Sequence, residues 1–159
     1  MNKWEQWLNT FLPSIYDEPK AFSIRDLDDS AQSDIDDVGF VCRVRLNCYA
    51  IENIILTNEC FSKHGYSPDE FNSKMSQWIE LNPEHQTTKA LINLRDNFSR
   101  RRTTKIKEIR NVILALLGTA KPWEVLVGQL IVSELPNSTT DENSLRTYLG
   151  EKVVKNLFS

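Results

Sequence analysis

The sequence predicts an α+β fold: an antiparallel sheet flanked by helices, with additional N-terminal and C-terminal helices. Three observations carry this expectation. Val38, Phe40, Cys42, Val44 and Leu46 alternate with Gly39, Val41, Arg43 and Arg45, the period of two of a half-buried strand. Two helix starts are spelled out, one by Ser67, Pro68 and Glu70 and another by Asn82, Pro83 and Glu84. Both ends of the chain carry apolar residues at helical spacing. On this reading residues 1–37 form an N-terminal helix and an acidic linker, 38–134 the sheet-bearing domain, and 135–159 a C-terminal helix.

Taken in order, Asn2 caps a helix whose Trp4, Trp7, Leu8, Phe11 and Ile15 share one face, and Pro13 stops it near Leu12. Two tryptophans on that stripe require something to pack against. The run from Asp26 to Asp37 holds six aspartates in twelve residues, which invites a calcium-loop reading. Ala31 and Asp37 stand where such a loop needs Gly and Glu, so a solvated linker is expected instead. The alternating strand and a second β-prone run from Tyr49 to Leu56, separated by Asn47 and Cys48, predict a hairpin over 38–56. Helices follow from Ser67 and from Asn82, the latter running to about Phe98 with Ala90, Leu91, Leu94 and Phe98 inward. From Thr103 to Glu134 the pattern supports two readings. Ile106, Ile109, Ile113 and Leu116 fit a helix, whereas the Val and Ile density of Val125 to Val132 fits strands. Pro136 to Thr139 make a break, and Asp141 to Phe158 reads as one amphipathic helix.

A length of 159 residues with 40% hydrophobic and 26% charged side chains suits one globular domain. The longest apolar runs fall short of a membrane span, and Trp4, Glu5, Trp7, Asn9 and Thr10 do not make a secretory leader, so a cytoplasmic protein with no membrane partner is expected. Cys42, Cys48 and Cys60 show no CxxC spacing, and His64 and His85 do not complete a zinc site, so the thiols are expected to be buried and no metal is expected. No Gly-rich phosphate loop, GxSxG elbow or HExxH is present, which argues against an enzyme.

Thr57, Asn58, Glu59, Cys60 and Phe61, then His64 to Phe71 with Gly65, Tyr66, Ser67 and Glu70, then Trp78 to His85, resemble the signature of a PAS domain. Gly118 to Val127, with Trp123 inside, is similar to that family's later hairpin. The resemblance implies a five-stranded antiparallel sheet with helices on one face, sensing a small ligand or mediating dimers. It also implies a pocket, for which Phe61, Trp78, Ile79, Leu91 and Leu94 are the candidates. No cofactor is implied. Neither Cys48 nor Cys60 is followed by the Arg-Phe of flavin-binding members, and His85 lies at the first turn of its helix, wrong for a haem ligand.

Charge supplies a second reading. Residues 1–80 carry 14 acidic and 7 basic side chains, residues 81–159 carry 8 and 12. Arg95, Arg100, Arg101, Arg102, Lys105, Lys107 and Arg110 concentrate cations within sixteen residues. Arg100, Arg101, Arg102, Lys105, Lys107 and Arg110 are therefore candidate nucleic-acid or anion contacts of a DNA-binding regulator that would also use the C-terminal helices. The pI of about 5.5 ranks nucleic acid behind a protein partner, and the same cations can instead pair with the acidic linker. The functional expectation is a small sensory or protein-interaction module in signalling or gene regulation, homodimeric through a terminal helix. The alternatives are the DNA-binding regulator and an adaptor without a ligand.

Overall fold

The computed structural model describes residues 2–30 and 35–158. Over these the chain is 59% helical, and its one sheet has two short strands, which corrects the expected antiparallel sheet flanked by helices. β1 (Ala21–Arg25) and β2 (Val41–Arg45) run parallel, with Ala21 opposite Val41 and Arg25 opposite Arg45. The hairpin over 38–56 does not form. Val44 and Leu46 are buried as the alternation predicts, but Val41 is buried too, so β2 is covered on both faces.

The second half of that expected hairpin is a 3₁₀ helix, Ile51–Leu56. Asn47 and Cys48 do not reverse the chain, because the backbone there is bonded elsewhere: Asn47 N–H donates to the Tyr148 carbonyl and Tyr49 N–H to that of Arg102. Asn53, wholly buried, then fixes the helical turn. Its Oδ1 accepts from Ala50 N–H at 3.0 Å, and its Nδ2 donates to the carbonyls of Arg101 and Thr104. Ile54, Ile55 and Leu56 are fully buried. Their β-branched and aliphatic density reports burial, which strands and core helices share.

Two helices now open on side-chain caps, the first at a residue not singled out as a cap from the sequence. Thr57 Oγ1 accepts from Cys60 N–H and opens α2 (Asn58–Lys63). Ser67 and Glu70 exchange side-chain and backbone bonds and open α3 (Pro68–Leu81). The second expected start fails, since Asn82 is already spent closing α3, donating from Nδ2 to the Trp78 carbonyl. α4 therefore begins six residues later and spans Thr88–Asp96. Residues 57–85, which carry the PAS resemblance, thus form helices and turns, and the sheet that the resemblance implies is absent among the described residues.

The stretch with two readings is helical: α5 (Arg110–Leu117), closed by Gly118 at φ +74°, then α6 (Trp123–Glu134). The expected single C-terminal helix is split at Gly150 into α7 (Leu145–Leu149) and α8 (Glu151–Leu157). Gly150 has φ +86°, and a Cβ there would stand 3.4 Å from Asn47 Cβ, so the break lies where the C-terminal segment meets the end of β2. Val44, Phe61, Leu94, Ile113, Tyr148 and Val153 belong to one hydrophobic core, so the C-terminal helices complete the same core as residues 38–134.

The acidic run is only partly described, residues 31–34 lying outside the described residues. Three of its described carboxylates are fastened to the fold. Asp26 accepts from Ile51 N–H, Asp29 pairs with Lys105 at 3.1 Å, and Asp37 accepts from both Lys152 Nζ and Arg43 N–H.

Candidate interaction face

The N-terminal helix α1 (Lys3–Phe11) forms as its sequence predicts. Asn2 Oδ1 accepts from Glu5 N–H, and Glu5 Oε2 accepts from Asn2 N–H, each at 2.9 Å. A 3₁₀ turn, Leu12–Ser14, takes up Pro13. The side of the helix that faces the protein is its polar side.

Glu5 is 2% exposed and sits between two guanidinium groups. Arg43 grips it twice, Nε to Oε1 at 3.2 Å and Nη2 to Oε2 at 2.7 Å, and Arg25 Nη2 reaches Oε1 at 3.2 Å. Arg43 foremost, then the Asn2 amide, hold the Glu5 carboxyl down at about 2 against the opposing pull of burial. One turn on, Asn9 donates from Nδ2 to the Val38 carbonyl at 3.0 Å and accepts on Oδ1 from Phe40 N–H at 2.6 Å. Between those two lies Gly39, at φ +57°, where a Cβ would come within 2.2 Å of Asn9 Oδ1. Only glycine admits this approach.

Of the apolar stripe Leu8 is half-buried, and the rest consequently points outward. Trp4 is 75% exposed, Trp7 51%, Phe11 43% and Ile15 54%, and the rings of Trp7 and Phe11 stack at 4.6 Å. Among the described residues, seven of the eleven exposed large hydrophobics lie between residues 4 and 40, so the exposure is concentrated in this part of the chain. The partner that the stripe needs is not supplied by the described part of the chain.

The five pocket candidates are core. Phe61 stacks on Phe71 at 4.4 Å and on Phe98 at 5.9 Å, Leu91 and Leu94 are fully buried, Ile79 nearly so, and Trp78 meets His85 edge-on. None of them lines the polar cleft of about 500 Å³ beside α4 or the apolar groove of about 560 Å³ along α6.

The six anion candidates do not converge. Arg101 is buried against the rings of both Phe61 and Phe98, its Nε donating to the Leu56 carbonyl at 2.7 Å and its Nη2 to Asn58. Arg102 caps the Asn47 carbonyl, Lys105 pairs with Asp29, and Arg110 pairs with Glu52 while lying over Trp123. Arg100 lines the polar cleft with Lys105, Asn93 and Asn97, and Lys107 is exposed. Four of the six cations that cluster in sequence, Arg101, Arg102, Lys105 and Arg110, are thus spent on the fold.

All three cysteines are free and buried, and burial pushes the Cys60 thiol up to about 12. Among the described residues no group of three or more His, Cys, Asp and Glu is placed to hold a metal, and no helix is long and apolar enough to cross a membrane.

Sequence reasoning found the aromatic stripe but missed Glu5, Asn9 and Arg43, which turn it outward. The Asn2-x-x-Glu5 spacing was a usable signal for the cap. Nothing local signals that Glu5 also meets two arginines far along the chain. The molecule is thus a single-core helical domain with an N-terminal helix fastened by its polar side. No family model matches the chain, and no curated protein or solved structure matches it.

Proposed function

We propose that this protein is a protein-interaction module that holds a partner on the outward face of α1 and performs no reaction of its own. The observation that carries the reading is the sidedness of one helix: Glu5 and Asn9 fasten its polar side inward, and Trp4, Trp7 and Phe11 stand in water. At their fractional exposures these side chains and Ile15 leave on the order of 500 Å² of apolar surface open. Scattered surface hydrophobics need no explanation, whereas a contiguous patch of this size is often functional. Tryptophan is also the side chain most enriched among residues that dominate binding energy at interfaces. The intramolecular use of Arg101, Arg102, Lys105 and Arg110 leaves a nucleic-acid role without a comparable surface.

Site-specific crosslinking tests the reading. With Trp7 replaced by a photoreactive phenylalanine analogue in the full chain, irradiation in cells is expected to give an adduct of discrete mass. That adduct should disappear when Trp4→Ser and Phe11→Ser are added. The same analogue at exposed Glu84 should give none. An absence of any discrete adduct at position 7, or one indifferent to the two serines, overturns the proposal.

A further inference from the structure

We infer that the partner on this face is a second copy of the chain, two α1 helices packing antiparallel about a two-fold axis. This rests on the docking reading above and adds the identity of the occupant. A two-fold interface must be self-complementary, each patch meeting its own copy reversed. The outward face of α1 has that property. Lys3, exposed at its N-terminal end, and Asp17 and Glu18, exposed just beyond its C-terminal turn, bracket the aromatic stripe with opposite charge. None of the three makes an ion pair within its own chain among the described residues. Antiparallel packing brings each Lys3 toward the Asp17 and Glu18 of the other copy at both ends at once. It also sets the positive end of each helix dipole beside the negative end of the other. Parallel packing would instead put Lys3 beside Lys3 and carboxylates beside carboxylates.

The area is consistent with self-pairing. Two copies of the stripe bury on the order of 1,000 Å² of apolar surface, and the flanking polar residues bring the total to the lower end of a specific interface. An interface of that size suits a reversible dimer rather than an obligate one.

Sedimentation velocity of the full chain from about 1 to 500 μM decides the matter. The expected result is a concentration-dependent monomer–dimer equilibrium that Trp4→Ser with Trp7→Ser abolishes. Lys3→Glu, at an exposed position where the fold is not at stake, should weaken dimerisation at least about tenfold, as opposing like charges do. Combining Lys3→Glu with Asp17→Lys and Glu18→Lys should restore it to within about threefold of the original. A monomer throughout the range, a dimer that survives the loss of both tryptophans, or a charge swap that fails to rescue overturns the inference. The crosslinking experiment keeps the two claims apart. An adduct of twice the chain mass supports self-pairing; an adduct of any other mass leaves the docking reading standing and removes the second copy; no adduct removes both.

Discussion

Arg43 holds Glu5 by two parallel hydrogen bonds, Nε to Oε1 at 3.2 Å and Nη2 to Oε2 at 2.7 Å, beneath a helix whose aromatic side faces water. A buried carboxylate bound in this way orients the helix, because rotating α1 to bury its tryptophans would expose the ion pair and strand the two arginines. Glu5→Ala is expected to cost about 1–2 kcal/mol of global stability, measured by urea unfolding. Amide exchange in α1 should speed up before exchange in the core.

The same pair makes a pH prediction. The folded-state pKa of Glu5 lies at about 2, below its ordinary value of 4.5. A lowered carboxylate pKa contributes stability that is present above the ordinary value and lost as pH falls through the folded one. Stability should therefore decline between pH 4.5 and about 2, and the Glu5→Gln variant should show a smaller decline over that window. Equal slopes for the two proteins would contradict the assignment.

Gly39→Ala should detach α1 from the sheet. The left-handed φ costs any L residue about 1 kcal/mol, and the new methyl would collide with Asn9 Oδ1 at 2.2 Å. Adding Asn9→Ala removes the collision but takes from the Phe40 amide its partner and leaves the Val38 carbonyl only its bond from Val41 N–H, so the double variant should recover little. Trypsin cleavage after Lys3 and Lys20, followed by mass spectrometry, reads the detachment directly.

Arg100 and Arg101 are neighbours in sequence with opposite expected sensitivities. Arg101→Ala removes a buried guanidinium that stacks on Phe61 and Phe98 and satisfies the Leu56 carbonyl, and should cost about 3 kcal/mol or more. Arg100→Ala, at an exposed position lining a cleft, should change stability by less than about 0.5 kcal/mol. Thermal melts compare them. Arg100 and Lys107 are consequently the positions at which anion binding can be probed without unfolding the protein.

The three thiols should be unreactive in the folded protein. Desolvation raises the pKa of Cys60 to about 12 and that of Cys48 further, and Cys42, at the surface edge of the core, is raised as well. A thiol reagent at pH 8 should label the native chain slowly, Cys42 first, and label all three quickly in denaturant.

What the sequence determined by itself was local. The caps read from it, at Asn2 and at Ser67 with Glu70, are bonds between residues three apart, so they can be read in one dimension. The apolar residues around Phe61, Leu91 and Leu94 were legible as buried in any compact fold, and the outcome there was core rather than pocket. Tertiary structure decided the rest, because the deciding groups are distant in the chain. Whether Ile51–Leu56 is strand or helix turned on the bonds from Asn53 to Arg101 and Thr104, about fifty residues away. Whether β2 had a hairpin partner turned on β1, twenty residues upstream, and on the backbone contact of Asn47 with Tyr148. The aromatic stripe of α1 was plain in the sequence, but its direction was not. Helical spacing identifies two faces, and the energetic cost of leaving Glu5 unpaired, which only the placement of Arg25 and Arg43 reveals, selects the one that turns inward.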